Sequence, residues 1–221
     1  MVDMTSSLHY QKMELPTALL ADQWGSKAQV PDASWQSYGG RVKFHGTAAT
    51  IVAADSVQIL RDILQQPGRQ RILVVDGGST VGALVNEEIG RLAASNRWAG
   101  IVLRGKVRNV AILKKIPIGI LALGSSPLGA TPGPLRDTAS SQGTEVNICG
   151  AVCAAGDRVY VDEDGAVFLP PEVHNPVQFK TMDTNDVSFR DYVTSGRVVR
   201  ERPVFTGSRG HSATEQTPWD W

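Results

Sequence analysis

The stretch from Arg71 to Ser79 reads R-I-L-V-V-D-G-G-S and indicates how the middle of this chain folds. Its apolar run is continuous, as expected for a strand that is buried on both faces of a parallel sheet. A turn of aspartate, two glycines and serine follows it. A helix is then predicted from Asn86, which suits the N-cap, and its apolar stripe lies at i, i+3 and i+4, on Ile89, Leu92 and Ala93.

The same rhythm continues on both sides of this stretch. A helix is predicted over Ser56–Gln65, and further strands over Ile101–Leu103 and Ile116–Leu123, with a short helix around Val110–Lys114 between them. Alternating strands and helices favour right-handed parallel crossovers. The sequence therefore predicts an α/β fold in this region.

The flanking regions have a different pattern. Downstream, tight turns separate three short strands, which predict an antiparallel β unit over Val146–Val152, Arg158–Asp162 and Ala166–Leu169. Upstream, we expect a helix near Leu15–Leu20 with Thr17 as its N-cap, and two strands, Arg41–Phe44 and Ala48–Ala53, separated by a break at His45-Gly46. A helix is also expected over Asp186–Val193.

Composition excludes some function classes. The 221 residues include 22 basic and 22 acidic side chains. A net charge near zero gives no electrostatic argument for direct binding to nucleic acid or to an anionic membrane. No apolar run approaches the ~20 residues of a membrane helix, and the N-terminus lacks a secretory pattern. We therefore expect a cytoplasmic protein with one main domain.

Several chemically interesting residues have ordinary structural interpretations. Cys149 and Cys153, if extended, lie about 13 Å apart along one strand face, too far for a disulfide, and we expect both to be small core residues. His45 is expected to be structural or at the surface. The acidic run Asp162–Asp164 is expected to be a solvated turn rather than a calcium loop.

An anion site is predicted at the C-terminal ends of the two successive strands Arg71–Val75 and Ile101–Leu103. The stretch Trp98–Asn109 reads W-A-G-I-V-L-R-G-K-V-R-N and places Arg108, a fork suited to a carboxylate, after a strand. Ligands of open α/β sheets bind at such strand ends, and glycine turns and helix N-termini offer amide N–H groups. The predicted ligand-binding residues are Gly77, Gly78, Ser79, Val85, Asn86 and Arg108. Asp76 is either a base, an orienting group or a turn former.

Several motifs, in order, resemble the RraA-like family. They lie at Ile72–Ser79, Ala83–Val85, Asn96–Arg108 and Ala155–Leu169, and Thr17–Asp22 and Gly46–Ile51 are also similar to that family. The family includes the regulator of ribonuclease activity A and the class II 4-hydroxy-4-methyl-2-oxoglutarate aldolases. The resemblance implies a swivelling β/β/α domain over residues 17–173, between an N-terminal extension (1–16) and a polar C-terminal extension (174–221).

The resemblance also implies an assembly and a chemistry. Members of this family are expected to form a homotrimer or a dimer of trimers, with pockets between subunits. The aldolase pattern of aspartate, twenty residues and Arg-Asp falls here on Glu87 and Arg108-Asn109. In that pattern the arginine holds the substrate carboxylate, the final aspartate ligates a divalent metal, and the first aspartate holds metal-bound water. With Asn109 in place of the metal-ligating aspartate, Glu87 and Asn109 predict only a weak Mg²⁺ or Mn²⁺ site.

Two functions follow from the resemblance. The first is a regulatory or binding protein without efficient catalysis, acting on a ribonuclease or RNA helicase partner, with Arg108 retained in a pocket for a 2-oxo acid or another carboxylate. The second is a divalent-metal-dependent 4-hydroxy-4-methyl-2-oxoglutarate aldolase or oxaloacetate decarboxylase. A methyltransferase is not expected, because the chain lacks a glycine-rich nucleotide loop and hence a nucleotide cofactor site. The terminal Trp219-Asp220-Trp221 would suit either a partner contact or an unstructured tail.

Overall fold

The structure is a computed structural model, and it describes residues 16–53, 56–130 and 142–172. In these ranges the helices are α1 (Thr17–Trp24), α2 (Val57–Leu64), α3 (Glu87–Ser95) and α4 (Val110–Leu113), with a 3₁₀ turn at Gly25–Lys27 after α1. The first six strands are β1 (Gln36–Ser37), β2 (Phe44–Val52), β3 (Ile72–Asp76), β4 (Ala83–Val85), β5 (Gly100–Val107) and β6 (Gly119–Ser125). The last four are β7 (Val146–Ile148), β8 (Ala151–Cys153), β9 (Arg158–Val161) and β10 (Ala166–Leu169).

One sheet organises the described chain, in the order β1-β6-β5-β3-β2-β9-β10. Strands β2, β3, β5 and β6 are mutually parallel, and β4 pairs in parallel with the C-terminal part of β5. Strands β9 and β10 extend the sheet in antiparallel pairs. The α/β fold with parallel crossovers and an antiparallel unit is thereby confirmed.

The sheet has a core on each face, which explains its continuous apolar strands. On one face, side chains such as Leu73 and Ile101 pack with helices α2 and α3. On the other face, side chains such as Val74 and Val102 pack with the hairpin β7-β8 and with Phe168 of β10. Alternate residues of each central strand therefore enter opposite cores.

Strand β2 differs from the prediction, because it is continuous where the sequence suggested a break. Its first half pairs with β9 and its second half with β3, so the strand joins the antiparallel and parallel parts of the sheet. Gly46 lies within this strand, and the position requires a glycine because a Cβ there would be 2.4 Å from the carbonyl oxygen of Gln70. The glycine permits a close backbone approach and does not end the strand.

The two cysteines do not lie on one extended strand. The predicted strand Val146–Val152 is instead a hairpin, and Cys149 occupies its turn with a φ of 50°. Cys153 is buried in β8, as expected, whereas Cys149 is only half-buried. Burial raises the pKa of both thiols, so neither is activated as a nucleophile.

Asp162 is also placed differently from the expectation of a solvated turn. It is only 6% exposed and accepts hydrogen bonds from the backbone N–H (2.7 Å) and the hydroxyl (2.6 Å) of Thr17, as well as from the amide of Asp164 (3.0 Å). Thr17 was expected to be the N-cap of α1, but it is the first residue of that helix, and the N-cap is Pro16. The contact joins α1 to the β9-β10 turn.

The remaining helix predictions agree with the structure to within a few residues. Helix α3 begins after Asn86, whose side chain accepts a hydrogen bond from the amide of Ile89 at 3.0 Å, as an N-cap does. The predicted helix over Asp186–Val193 and the C-terminal extension lie outside the described residues. Within the described ranges, no helix is long and apolar enough to cross a membrane.

Candidate functional site

Asp76 organises the loop that follows β3. Parallel pairing places it opposite Arg104 of β5, and its Oδ1 accepts hydrogen bonds from Arg104 Nε at 2.7 Å and from the Gly78 amide at 2.8 Å. A second guanidinium nitrogen of Arg104 also contacts Oδ1. Asp76 is thus both a turn former and an orienting group. Sequence reasoning did not single out Arg104, because only the register of two distant strands makes it the partner of Asp76.

The loop after β3, which contains Gly77 and Gly78 and is called the glycine loop below, uses the amide groups of both glycines in hydrogen bonds within the chain. The Gly77 amide donates to the Arg104 carbonyl at 3.0 Å, while the Gly78 amide donates to Asp76. Gly78 has a φ of 61°, a conformation that glycine adopts without strain. Ser79 is exposed. In this arrangement the loop supplies shape rather than free amide donors at the two glycines.

Arg108 follows β5, and contacts with two other segments of the chain position its backbone and its side chain. Its amide donates to the Val85 carbonyl at 2.9 Å, which ties the end of β5 to the end of β4. Its guanidinium packs against Gly129, where a Cβ would lie 2.9 Å from the nearest guanidinium nitrogen. The backbone beside Gly129 is held along β4 by hydrogen bonds with Ala83. Gly129 was not predicted as a site residue, and its L-G-A context carries no signal for this role.

The Arg108 guanidinium has the properties of an anion-binding group. It is half-buried, and none of the residues that the structure describes accepts a hydrogen bond from it. An arginine that is positioned but unpaired retains its fork of N–H donors for a ligand. A carboxylate is the natural complement of that fork.

Glu87 and Asn109 lie together, as their alignment with the family pattern predicts. Asn109 precedes α4 in a left-handed conformation (φ 59°), and its amide nitrogen donates to the Glu87 carboxylate. This hydrogen bond, together with the backbone amide of Glu87 itself, holds the pKa of Glu87 below its usual range, and the charge of Arg108 acts in the same direction. The carboxylate of Glu87 therefore stays ionised, and the Asn109 side chain, the Glu87 backbone amide and the charge of Arg108 stabilise its negative charge.

This donor set does not fit a tightly held divalent cation. Mg²⁺ and Mn²⁺ favour several oxygen ligands, and carboxylates provide most of the attraction. Glu87 offers one carboxylate, and Asn109 presents an amide nitrogen to it rather than a second negative oxygen. In the described part of the chain, no three His, Cys, Asp or Glu side chains come close enough to share a metal ion.

The predicted residues therefore form two groups. Arg108, Glu87 and Asn109 lie at the junction of β5, α3 and α4, and Val85 and Asn86 hold their backbone. Asp76 and Arg104 form the second group with the glycine loop. Val74 of β3 and Val102 of β5 face the hairpin β7-β8, and by strand alternation Asp76 and Arg104, two residues further on, lie on that same side of the sheet.

Comparison with known proteins gives one consistent family. A family model described as Aldolase/RraA, of the RraA-like group, matches residues 17–168. A protein of Laribacter hongkongensis, provisionally named 4-hydroxy-4-methyl-2-oxoglutarate aldolase, is 36% identical over 72% of this chain and 98% of its own. The RNA-processing inhibitor RraA from Thermus thermophilus superimposes with a TM-score of 0.65 at 30% identity, covering 72% of this chain and 94% of that one. A Geobacillus kaustophilus structure, described as an S-adenosylmethionine: 2-dimethylmenaquinone methyltransferase, has the same TM-score and identity, and covers 72% and 97%.

Proposed function

Since the chain belongs to the RraA-like family, we propose that it is a regulatory binding protein that retains a small-carboxylate pocket at Arg108 and does not catalyse efficiently. The observation that carries this proposal is the hydrogen bond from the Asn109 amide to the Glu87 carboxylate. The position where a lyase of this family would hold its metal carries a neutral amide, which hydrogen-bonds the remaining carboxylate and adds no second negative charge. The pocket therefore keeps its anion-binding arginine without the charge that would hold a metal.

The proposed partner is a ribonuclease or an RNA helicase, and the proposed assembly is a homotrimer or a dimer of trimers. The Thermus relative, whose name describes an RNA-processing inhibitor, supports this class of partner. The net charge of this chain is zero, so the proposed regulation acts through protein contact rather than through direct binding to RNA. A pull-down with the full chain, analysed for ribonucleases and helicases, tests the partner. Recovery of neither class would count against it.

A second candidate function is a lyase that acts on 2-oxo acids. The Arg108 guanidinium favours it, because no described residue accepts a hydrogen bond from it and a substrate carboxylate would do so. The Laribacter relative also carries an aldolase name. Glu87 and Asn109 are the residues that would hold Mg²⁺ or Mn²⁺. The metal would stabilise negative charge on the 2-oxo group.

One assay separates the two functions. Pyruvate release from oxaloacetate or 4-hydroxy-4-methyl-2-oxoglutarate is measured with Mg²⁺ or Mn²⁺, for the wild type and for Arg108→Ala. The binding function predicts no turnover above the metal-only background in either protein. It also predicts that oxalate or pyruvate binds to the wild type at least tenfold more tightly than to Arg108→Ala, as expected when a charged hydrogen-bonding group is removed. Robust turnover that Arg108→Ala abolishes would establish the lyase instead.

A further inference from the structure

A cleft of about 330 Å³ lies between α1, the loop of residues 30–35 and the β9-β10 turn. Its volume falls at the lower end of the roughly 300–1,000 Å³ found for small-ligand sites. None of the residues described at the Arg108 site lines it. We propose that this cleft is a second binding site, which takes an ammonium or guanidinium group carried on a short apolar stem.

Small residues create the space. Alanines of α1 and of the loop line the cleft, and Gly165 forms part of its floor with a φ of 140°. A Cβ on Gly165 would be strained and would lie 3.4 Å from Trp35 Cδ1. The floor is therefore apolar and open, which suits the methylene stem of a ligand.

Trp35 provides the aromatic wall. Its indole N–H donates to the Pro31 carbonyl at 3.4 Å, a contact within the same loop that limits rotation of the ring. Tryptophan has the side chain on which cations bind best through the π-face. A fixed indole beside an apolar floor is an arrangement typical of sites for organic cations.

The charges at the rim are of one sign. Asp32 and Asp164 line the cleft and are exposed, and no lysine or arginine among the described residues lines it. Among the described residues, none donates a hydrogen bond to either carboxylate or forms an ion pair with it. The neighbouring Glu163, by contrast, is paired with Lys43 at 3.3 Å. Within the described residues, the cleft thus has two exposed carboxylates that no cationic side chain pairs, and their negative charge would attract a cationic ligand.

The walls of the cleft are held in place before any ligand binds. Buried Asp162 accepts two hydrogen bonds from Thr17 of α1 and one from the Asp164 amide of the turn. This contact fixes the distance between the two walls, which both line the cleft. A prearranged site loses less entropy when it binds a ligand.

The proposal is tested by NMR titration of the full-length protein with agmatine, which has both a guanidinium and an ammonium group on a four-carbon stem. Butylurea, of similar size but neutral, is the control ligand, and a blocked Gly-Arg-Gly peptide distinguishes a partner's side chain from a free amine. We expect saturable shifts of the Gly165 amide and Trp35 indole signals with agmatine, with the peptide or with both. Binding should weaken roughly fivefold in Asp32→Asn/Asp164→Asn, as two exposed ion pairs contribute.

Glu163→Gln is the matched control, because it removes a carboxylate from the same turn without touching the cleft. It should bind agmatine like the wild type. Trp35→Leu should also weaken binding while leaving both carboxylates. All of these positions are at least partly exposed, so the variants are expected to fold, and thermal unfolding checks this. Equal shifts with agmatine and butylurea, or undiminished agmatine affinity in the double asparagine variant, would overturn the proposal.

Discussion

Replacing Asn109 with aspartate is the sharpest perturbation of the Arg108 site. At present the Asn109 amide donates a hydrogen bond to the Glu87 carboxylate. In Asn109→Asp, two carboxylates would face each other at that contact. The left-handed backbone (φ 59°) accommodates aspartate nearly as well as asparagine, so the substitution changes charge without adding backbone strain.

The magnitude follows from the exposure of the pair. Two unit charges about 4 Å apart repel by about 1 kcal/mol when water screens them. Glu87 is near the surface, so this screened value applies. The same repulsion would raise the pKa of Glu87 in the folded variant, because it disfavours the ionised carboxylate. For a domain of this size, the midpoint of thermal unfolding at pH 7 should fall by about 2–4 °C.

The sign of the pH dependence distinguishes the variant from the wild type. The pKa of wild-type Glu87 is lowered in the folded state, so its stabilisation is present above the unfolded pKa and is lost as the pH falls through the folded pKa. In Asn109→Asp the folded pKa rises, so the variant's deficit is largest at neutral pH and diminishes on acidification. A divalent cation should remove the same deficit, since it would bind between the two carboxylates.

The assay is thermal unfolding at pH 7 and pH 4.5, with and without Mn²⁺, together with calorimetric titration of Mn²⁺. Asn109→Gly is the matched control, because it removes the amide but adds no charge and tolerates the same backbone. Mn²⁺ should stabilise Asn109→Asp alone. If Asn109→Asp is as stable as the wild type at pH 7 and gains nothing from Mn²⁺, the reasoning from the Asn109–Glu87 contact is refuted.

Three further perturbations test the surrounding structure. Thr17→Val removes a hydroxyl that donates to buried Asp162 and should cost about 1.5–3 kcal/mol of unfolding free energy at pH 7. Burial raises the pKa of Asp162, but the hydrogen bonds from Thr17 lower it further, so the folded carboxyl group has a lowered pKa. The cost of the substitution should therefore shrink below about pH 4, where Asp162 becomes protonated. Gly129→Ala should displace the Arg108 guanidinium, weakening oxalate binding with little loss of stability, since the neighbour that must move is the end of a flexible side chain. Asn86→Ala removes the α3 cap and should cost about 1 kcal/mol, measured by urea unfolding.

Local patterns predicted the parts of the fold that depend on local physics. The apolar run that forms most of β3 and the periodic stripe of α3 were identified because burial on two faces and burial on one face leave different spacings in the sequence. The N-cap at Asn86 was identified because capping needs a short polar side chain at one position. These features depend on neighbours only a few residues away.

Predictions failed where a distant segment decides the conformation. Gly46 indicated a break, but the carbonyl of Gln70 lies against it, so a strand passes through. Asp162 belonged to an acidic turn typical of solvent exposure, but Thr17, at a sequence separation of 145 residues, buries and binds it. No local rule contains information of that range.

The sequence by itself determined the α/β class, the family motifs and the presence of an arginine followed by an amide at the end of a strand. The tertiary structure decided what those residues do. It placed the Asn109 amide on Glu87, Gly129 behind the Arg108 guanidinium, and Arg104 on Asp76. These contacts depend on the strand register and on the crossover connections. The hydrophobic core holds the register and the crossovers in place, because shifting any one strand would expose apolar side chains to water.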